Sequence, residues 1–251
     1  MSEAPAIEFR GVRKAFRDKA VLRGLDLHVA SGETFTILGG SGSGKSVCLK
    51  HMIGLLHCDA GQISVFGRDV SRLPERGWVE LRRDFGMVFQ GAALFDSLSV
   101  YENVAYPIRE HMAWSEERVR ERVGECLAGV GLAGSEALLP AELSGGMRKR
   151  VGVARAIALR PRIVLYDEPT TGLDPANSRR IGQLIAALQA ELRATSVVVT
   201  HDIELCFAIS DRVALLQGGR LAAEGPADEV RAHPELRKFV EGNDEKGGSH
   251  G

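Results

Sequence analysis

An excess of charge of either sign is missing from this sequence. Its 32 Lys and Arg stand against 33 Asp and Glu, a formal net charge of −1, so no basic surplus points to nucleic acid as a partner. Paired cysteines are missing as well. Cys48, Cys58, Cys126 and Cys206 stand far apart with no CxxC pair, which excludes a disulfide scaffold or a zinc ribbon and predicts reduced thiols in a cytosolic protein. Long apolar runs are absent, Val213-Ala214-Leu215-Leu216 being among the longest, whereas a spanning helix needs about 20 apolar residues. Met1-Ser2-Glu3-Ala4-Pro5 has no charged region leading into an apolar one, so no signal peptide is predicted. With 44% hydrophobic and 26% charged residues, the body of the chain is neither disordered nor collagen-like. Its 251 residues fit one large domain or two small ones, long enough to bury a sizeable core.

What is present is first a pattern of strands. Ile7-Glu8-Phe9, Lys14-Ala15-Phe16 and Val21-Leu22 leading to Leu25-Asp26-Leu27-His28-Val29 read as short strands. Ser31-Gly32-Glu33 makes a turn before the apolar-leaning strand Thr34-Phe35-Thr36-Ile37-Leu38. After a glycine-rich loop, apolar residues at 49, 52, 53 and 56 predict a helix from Lys45 to Leu56, and 61–66 and 85–89 read as further strands. Between about 92 and 160 the pattern turns helical. Ser99-Val100-Tyr101-Glu102 is a capping box, Ser115-Glu116-Glu117 starts a second helix with acids in its first turn, and a third follows Leu143-Ser144-Gly145-Gly146. Strand–helix alternation then returns, with strands Ile163–Tyr166, Ser196–Thr200 and Val213–Leu216 and helices near 176–193 and 203–209. An α/β core interrupted by a helical insert is the expectation. The polar, glycine-rich end from Gly242 is expected to be a disordered tail.

The loop Gly39-Gly40-Ser41-Gly42-Ser43-Gly44-Lys45-Ser46 fits G-x-x-x-x-G-K-[ST] between a strand and a helix. Glycines let successive amides wrap a β-phosphate, and the following helix N-terminus adds partial positive charge. Lys45 then places a charge on the β/γ-phosphates, and the Ser46 hydroxyl ligates Mg2+. Ile163-Val164-Leu165-Tyr166-Asp167-Glu168 ends a hydrophobic strand in two carboxylates. Downstream of a phosphate loop, such a strand delivers Asp167 to the Mg2+ water shell, while Glu168 points elsewhere and can polarise an attacking water. Alone, the pair would read as exposed acids at a strand end. His201 and Gln90 also close strands on the edge where open α/β sheets bind ligands, and each reads equally well as a loop residue. Leu143-Ser144-Gly145-Gly146-Met147 offers small residues at a helix N-terminus, a second anion site. One chain has little use for two such sites on one triphosphate unless the second serves another subunit's nucleotide.

Together these residues resemble the ATP-binding-cassette (ABC) ATPase family across about residues 6–240. The order matches: Phe16 where a ring stacks on adenine, the phosphate loop 39–46, Gln90 as the Q-loop, Leu143–Met147 as the signature, Tyr166-Asp167-Glu168, Gly172-Leu173-Asp174 as the D-loop, and His201 as the switch histidine. Phe16 and Met147 depart from the usual Tyr and Gln of the family. The resemblance implies an α/β P-loop NTPase fold: a RecA-like core at about 6–91 and 161–240 with an N-terminal antiparallel β region, a helical subdomain at about 92–160, and a tail at 241–251. It further implies an ATPase using ATP and Mg2+, with Glu168, His201 and Lys45 catalytic and Ser46, Gln90 and Asp167 at the metal. Val47 joins Phe16, Gln90 and residues 39–46 as the nucleotide-binding set. Ser144, Gly145, Gly146 and Met147 would act in trans across a homodimer, with Asp174 at the dimer face.

Within the family, Gly39-Gly40-Ser41 with Ser46-Val47, the segment Leu94–Val104 and Met147 look like the ATPase of Mla-type phospholipid transporters. Such a subunit sits peripherally on the cytoplasmic face of the bacterial inner membrane. It works with a permease, a periplasmic MCE-domain protein and a small STAS-domain subunit. The alternative is the ATPase of an amino-acid or other small-solute importer. One motif set, without heptads or basic excess, argues against a soluble ABC ATPase acting on ribosomes or DNA.

Overall fold

The computed structural model describes residues 4–247. Two sheets organise it. The first joins β1 (Ile7–Phe16), β2 (Lys19–Val29), β4 (Ala60–Val65) and β5 (Arg68–Asp69) in the antiparallel order β2-β1-β4-β5. β1 is one strand where the sequence predicted two pieces. A register shift between Phe9 and Val12 carries it past Gly11, whose φ of 57° suits glycine and whose amide donates to Asp26 Oδ1 at 2.7 Å.

The second sheet has the order β10-β9-β3-β8-β7-β6. Its strands β3 (Thr34–Leu38), β6 (Phe85–Val88), β7 (Ile163–Asp167), β8 (Thr195–Thr200) and β9 (Arg212–Gln217) run parallel, and β10 (Arg220–Pro226) is an antiparallel edge. β3 and β8 are buried along their whole lengths, as strands covered on both faces must be. Alternate residues face opposite cores. Phe35, Ile37, Leu165, Val197 and Val199 pack with the first sheet, whereas Val164, Tyr166 and Val198 pack with the helical insert.

α1 (Lys45–Met52) follows β3 and is shorter than the predicted 45–56 helix. The cause is Gly54, at φ 67°, where a Cβ would lie 2.1 Å from the ring of Trp78. The chain turns there, and the amides of Leu55 and Leu56 close back onto Lys50 O. Trp78 belongs to α2 (Glu75–Leu81), a helix the sequence patterns did not reveal.

The insert contains α3 (Val100–His111), α4 (Glu116–Gly129) and α5 (Gly145–Ile157). All three start as expected. Ser99 Oγ accepts from Glu102 N at 3.2 Å while Ser99 N donates to Glu102 Oε2 at 2.8 Å, and Ser115 and Ser144 cap the other two. The remainder is α6 (Pro175–Leu192), α7 (Ile203–Ile209), α8 (Ala227–Ala232) and α9 (Pro234–Gly247). β10, α8 and α9 were not foreseen. α9 anchors Leu236 and Phe239 in a third core with Leu38 and Leu215. From that anchor the helix propagates to Gly247, beyond the expected tail boundary at 241, and residues 248–251 lie outside the described residues. No described helix is long and apolar enough to cross a membrane.

Candidate active site

The site is built where β3, β7 and β8 end side by side. β3 releases the chain at Gly39, whose amide donates to Thr200 O at 3.2 Å, and the loop tightens through Ser43 N to Gly40 O at 3.3 Å. A Cβ on Gly39 would stand 2.5 Å from Leu216 O, and Gly44, at φ 110°, would bring one within 3.2 Å of Leu22. Only glycine satisfies both positions. The loop borders an open cleft of about 440 Å3, lined also by Lys19, Val21, Gly218 and Phe239. Ser43 Oγ is buried in this loop without a hydrogen-bond partner, an unsatisfied group of the kind an oxygen-rich ligand satisfies. The cradle therefore fits a phosphate chain.

β7 ends in Asp167, and Ser46 Oγ donates to its Oδ1 at 2.9 Å. Burial pushes the Asp167 carboxyl above the ordinary carboxylate range, and the Ser46 hydrogen bond opposes that shift. Among the described residues no cluster of three His, Cys, Asp or Glu forms a metal cage. One hydroxyl and one carboxylate beside a phosphate cradle are nevertheless hard oxygen donors of the kind Mg2+ takes, with phosphate oxygens and waters completing its shell.

Glu168 turns away from Asp167 onto two other partners. Its backbone is left-handed, at φ 48°, and its amide donates to Val199 O at 2.9 Å. Oε1 lies 3.1 Å from Lys45 Nζ, which also donates to Gly39 O at 2.8 Å and Gly40 O at 3.1 Å. Oε2 lies 2.8 Å from His201 Nδ1 and accepts from His201 N at 3.3 Å and Thr171 Oγ1 at 3.4 Å. Glu168 is 8% exposed, whereas the His201 side chain is 58% exposed. A nearly buried carboxylate, oriented by a lysine and a histidine at the mouth of a phosphate cradle, has the geometry to orient a water and take its proton.

The other predicted residues lie at varying distances from this centre. Phe16 stands at the tip of β1, 44% exposed, with Lys14 Nζ 5.5 Å above its ring, and does not line the cleft. Val47, half-buried, packs on the first core. Gln90 is exposed just after β6. Ser144 and Gly145 are exposed, and Gly146 is buried against Asn177. Among the described residues none of 144–147 lines the loop's cleft or hydrogen-bonds to residues 39–46. Met147 packs on the insert core. Asp174 caps α6, accepting from Asn177 N at 2.9 Å, and the Asn177 hydrogen bonds hold its carboxyl below the usual range. Lys149 is the residue the sequence concealed. It stands within the basic run Arg148-Lys149-Arg150, yet it is 7% exposed and its Nζ donates to Gln90 O. Its place three residues after buried Gly146 and four before buried Val153 was the available signal.

Comparison with known proteins converges on one family. The family described as "ABC transporter" matches residues 22–171. "Probable ribonucleotide transport ATP-binding protein mkl" of Mycobacterium leprae is 40% identical over 239 residues, covering 94% of this chain and 69% of that protein. "Methionine import ATP-binding protein MetN" of Leifsonia xyli is 42% identical, covering 94% and 71%. "Intermembrane phospholipid transport system ATP-binding protein MlaF" of Haemophilus influenzae is 40% identical, covering 94% and 90%. Among solved structures, a dimeric bacterial ABC transporter cassette superposes with a TM-score of 0.82 at 34% identity, covering 88% of this chain and 98% of that one.

Proposed function

The chain belongs to the ATP-hydrolysing subunits of ABC transporters, and from that premise we propose that it powers phospholipid transport between the inner and outer membranes. The observation that carries this reading is a relative named for intermembrane phospholipid transport, combined with Gly40, Val47 and Met147, where the sequence takes the Mla-type pattern. The subunit would act on the cytoplasmic face of the bacterial inner membrane, with a permease, a periplasmic MCE-domain protein and a small STAS-domain subunit.

The proposed chemistry assigns each of these residues a role. Phe16, at the tip of β1, would stack on adenine, and residues 39–46 would hold the phosphates, with Val47 beside them and Lys45 supplying the point charge. Ser46 and Asp167, with Gln90, would hold Mg2+, which would shield charge on the phosphates. Glu168 is the general base, with His201 and Lys45 stabilising the transferred phosphoryl. The exposure of Ser144 and Gly145, away from their own cradle, supports a head-to-tail homodimer in which they meet the partner's nucleotide and Asp174 lies at the dimer face. Purification of the tagged chain from membranes tests the transport assignment. Recovery of an MCE-type partner and phospholipid is expected, and recovery of an amino-acid permease alone would overturn it in favour of the import role named for MetN.

The trans assignment has its own test. Ser144→Arg places a bulky cation at an exposed helix start. ATPase activity is expected to fall by about 100-fold or more while ATP binding by the monomer stays within about threefold. An equal loss of monomer binding would put Ser144 in its own chain's site.

An exposed aromatic is the proposed anchor for the permease. Phe95 is 44% exposed, its ring 5.0 Å from that of Tyr106, also 44% exposed, while Leu94 and Leu98 are half-buried. Its exposure favours a docking role over burial within the subunit. Phe95→Asp is expected to weaken permease assembly by about 30-fold, the ~2 kcal/mol typical of an apolar anchor, and to abolish transport with the isolated subunit folded and ATP-competent. Normal assembly and transport would remove Phe95 from the interface.

A further inference from the structure

One buried cation reaches the site from the helical insert. Lys149 lies on α5, whose capping residue is Ser144, and at 1.5 Å per residue the two are about 7–8 Å apart along the helix axis. Its ammonium points inward. It donates to the carbonyl of Gln90 and, at 3.4 Å, to the carbonyl of Glu168. A lysine placed only for packing buries its stem and keeps its charge in water; Lys149 is 7% exposed and buries its ammonium as well.

Its second acceptor belongs to a residue whose backbone needs support. Glu168 holds φ 48°, a conformation non-glycine residues keep only where neighbours over-determine it. Two supports come from nearby segments: the Glu168 amide donates to Val199 O at 2.9 Å, and the Glu168 carbonyl accepts from Thr171 N at 3.3 Å. The third is Lys149. One ammonium thus joins the signature helix, Gln90 in the turn after β6 and the left-handed carboxylate position.

We propose that Lys149 is a positioning residue for hydrolysis: it fixes the backbones of Glu168 and Gln90 to α5, so that docking of the α5 N-terminus on the partner's nucleotide is transmitted to the subunit's own carboxylate. This rests on the assignment of Glu168 as base and of the signature in trans.

The test uses the full-length chain with Lys149→Met, Lys149→Arg and, in parallel, Glu168→Gln. Lys149→Met is expected to lower kcat by about 30-fold or more while KM for ATP and ATP-driven dimer formation stay within about twofold. Lys149→Arg, which keeps charge and donors, is expected to recover kcat to within about fivefold of wild type. A residue that merely supports the fold would move KM, dimerisation and thermal midpoint together. A Lys149→Met kcat within about twofold of wild type overturns the inference, as does a KM increase with kcat unchanged. If Glu168→Gln hydrolyses at the wild-type rate, the assignment of the base falls and the inference with it. If Glu168→Gln is slow and Lys149→Met is not, the inference alone falls. Should Lys149→Met fail to fold, Lys149→Gln is compared with Lys149→Arg: a kcat about tenfold lower for Gln supports the proposal, and equal rates overturn it.

Discussion

Lys45→Ala is expected to abolish tight ATP binding and, with it, hydrolysis. The side chain sits at the centre of the cradle with its ammonium on Gly39 O, Gly40 O and Glu168 Oε1. Charge-assisted hydrogen bonds contribute roughly 1.5–3 kcal/mol each, and a lysine facing a triphosphate makes more than one. A loss of affinity of at least about 100-fold is therefore expected in a direct titration with Mg·ATP, corresponding to about 2.7 kcal/mol. The close approaches of Gly39 to Leu216 O and of Gly44 to Leu22 remain when Lys45 is truncated, so the variant should remain folded. Wild-type affinity and turnover would remove this loop from the nucleotide site.

Glu168→Gln should separate binding from chemistry. The amide keeps the shape of the carboxylate and an oxygen for His201, but it cannot take a proton from water. General-base removal costs roughly 100- to 10,000-fold, so slow turnover is expected, with ATP still bound and the dimer persisting, measurable by size-exclusion chromatography in the presence of ATP. Undiminished turnover would exclude Glu168 as the base. Lys45→Ala and Glu168→Gln fail differently: Lys45→Ala does not load, and Glu168→Gln loads and does not discharge.

Much of this site was legible because its signals are local. The phosphate loop needs glycines at fixed offsets between a strand and a helix, and Gly39 to Ser46 displays them in eight consecutive residues. The capping box at Ser99 and Glu102 needs only four, and both of its hydrogen bonds are present. What escaped depends on distant partners. The end of α1 is set by Gly54 meeting Trp78, a contact between segments that periodicity cannot register. β10 is an edge strand of mixed burial, so no alternation marks it, and α9 shows its apolar anchors only against Leu38 and Leu215. The partnership of Glu168 with His201 joins the ends of two different strands. The direction of Phe95 is not marked by the sequence either, because one aromatic in a loop has no period.

The turn that carries Phe95 has a thermodynamic consequence. Asn103 is completely buried, and its amide group bonds to that turn four times, accepting from Phe95 N at 2.8 Å and donating to Phe95 O, Leu98 O and Ser99 O at 3.0–3.1 Å. A loop held so many times has lost its conformational freedom before any partner arrives. Ordering a free side chain at an interface costs about 0.5–1.5 kcal/mol, and here that loss is charged to folding instead of to docking. If the permease docks here, as proposed, it would meet a surface already held in shape, and little backbone entropy would oppose the encounter.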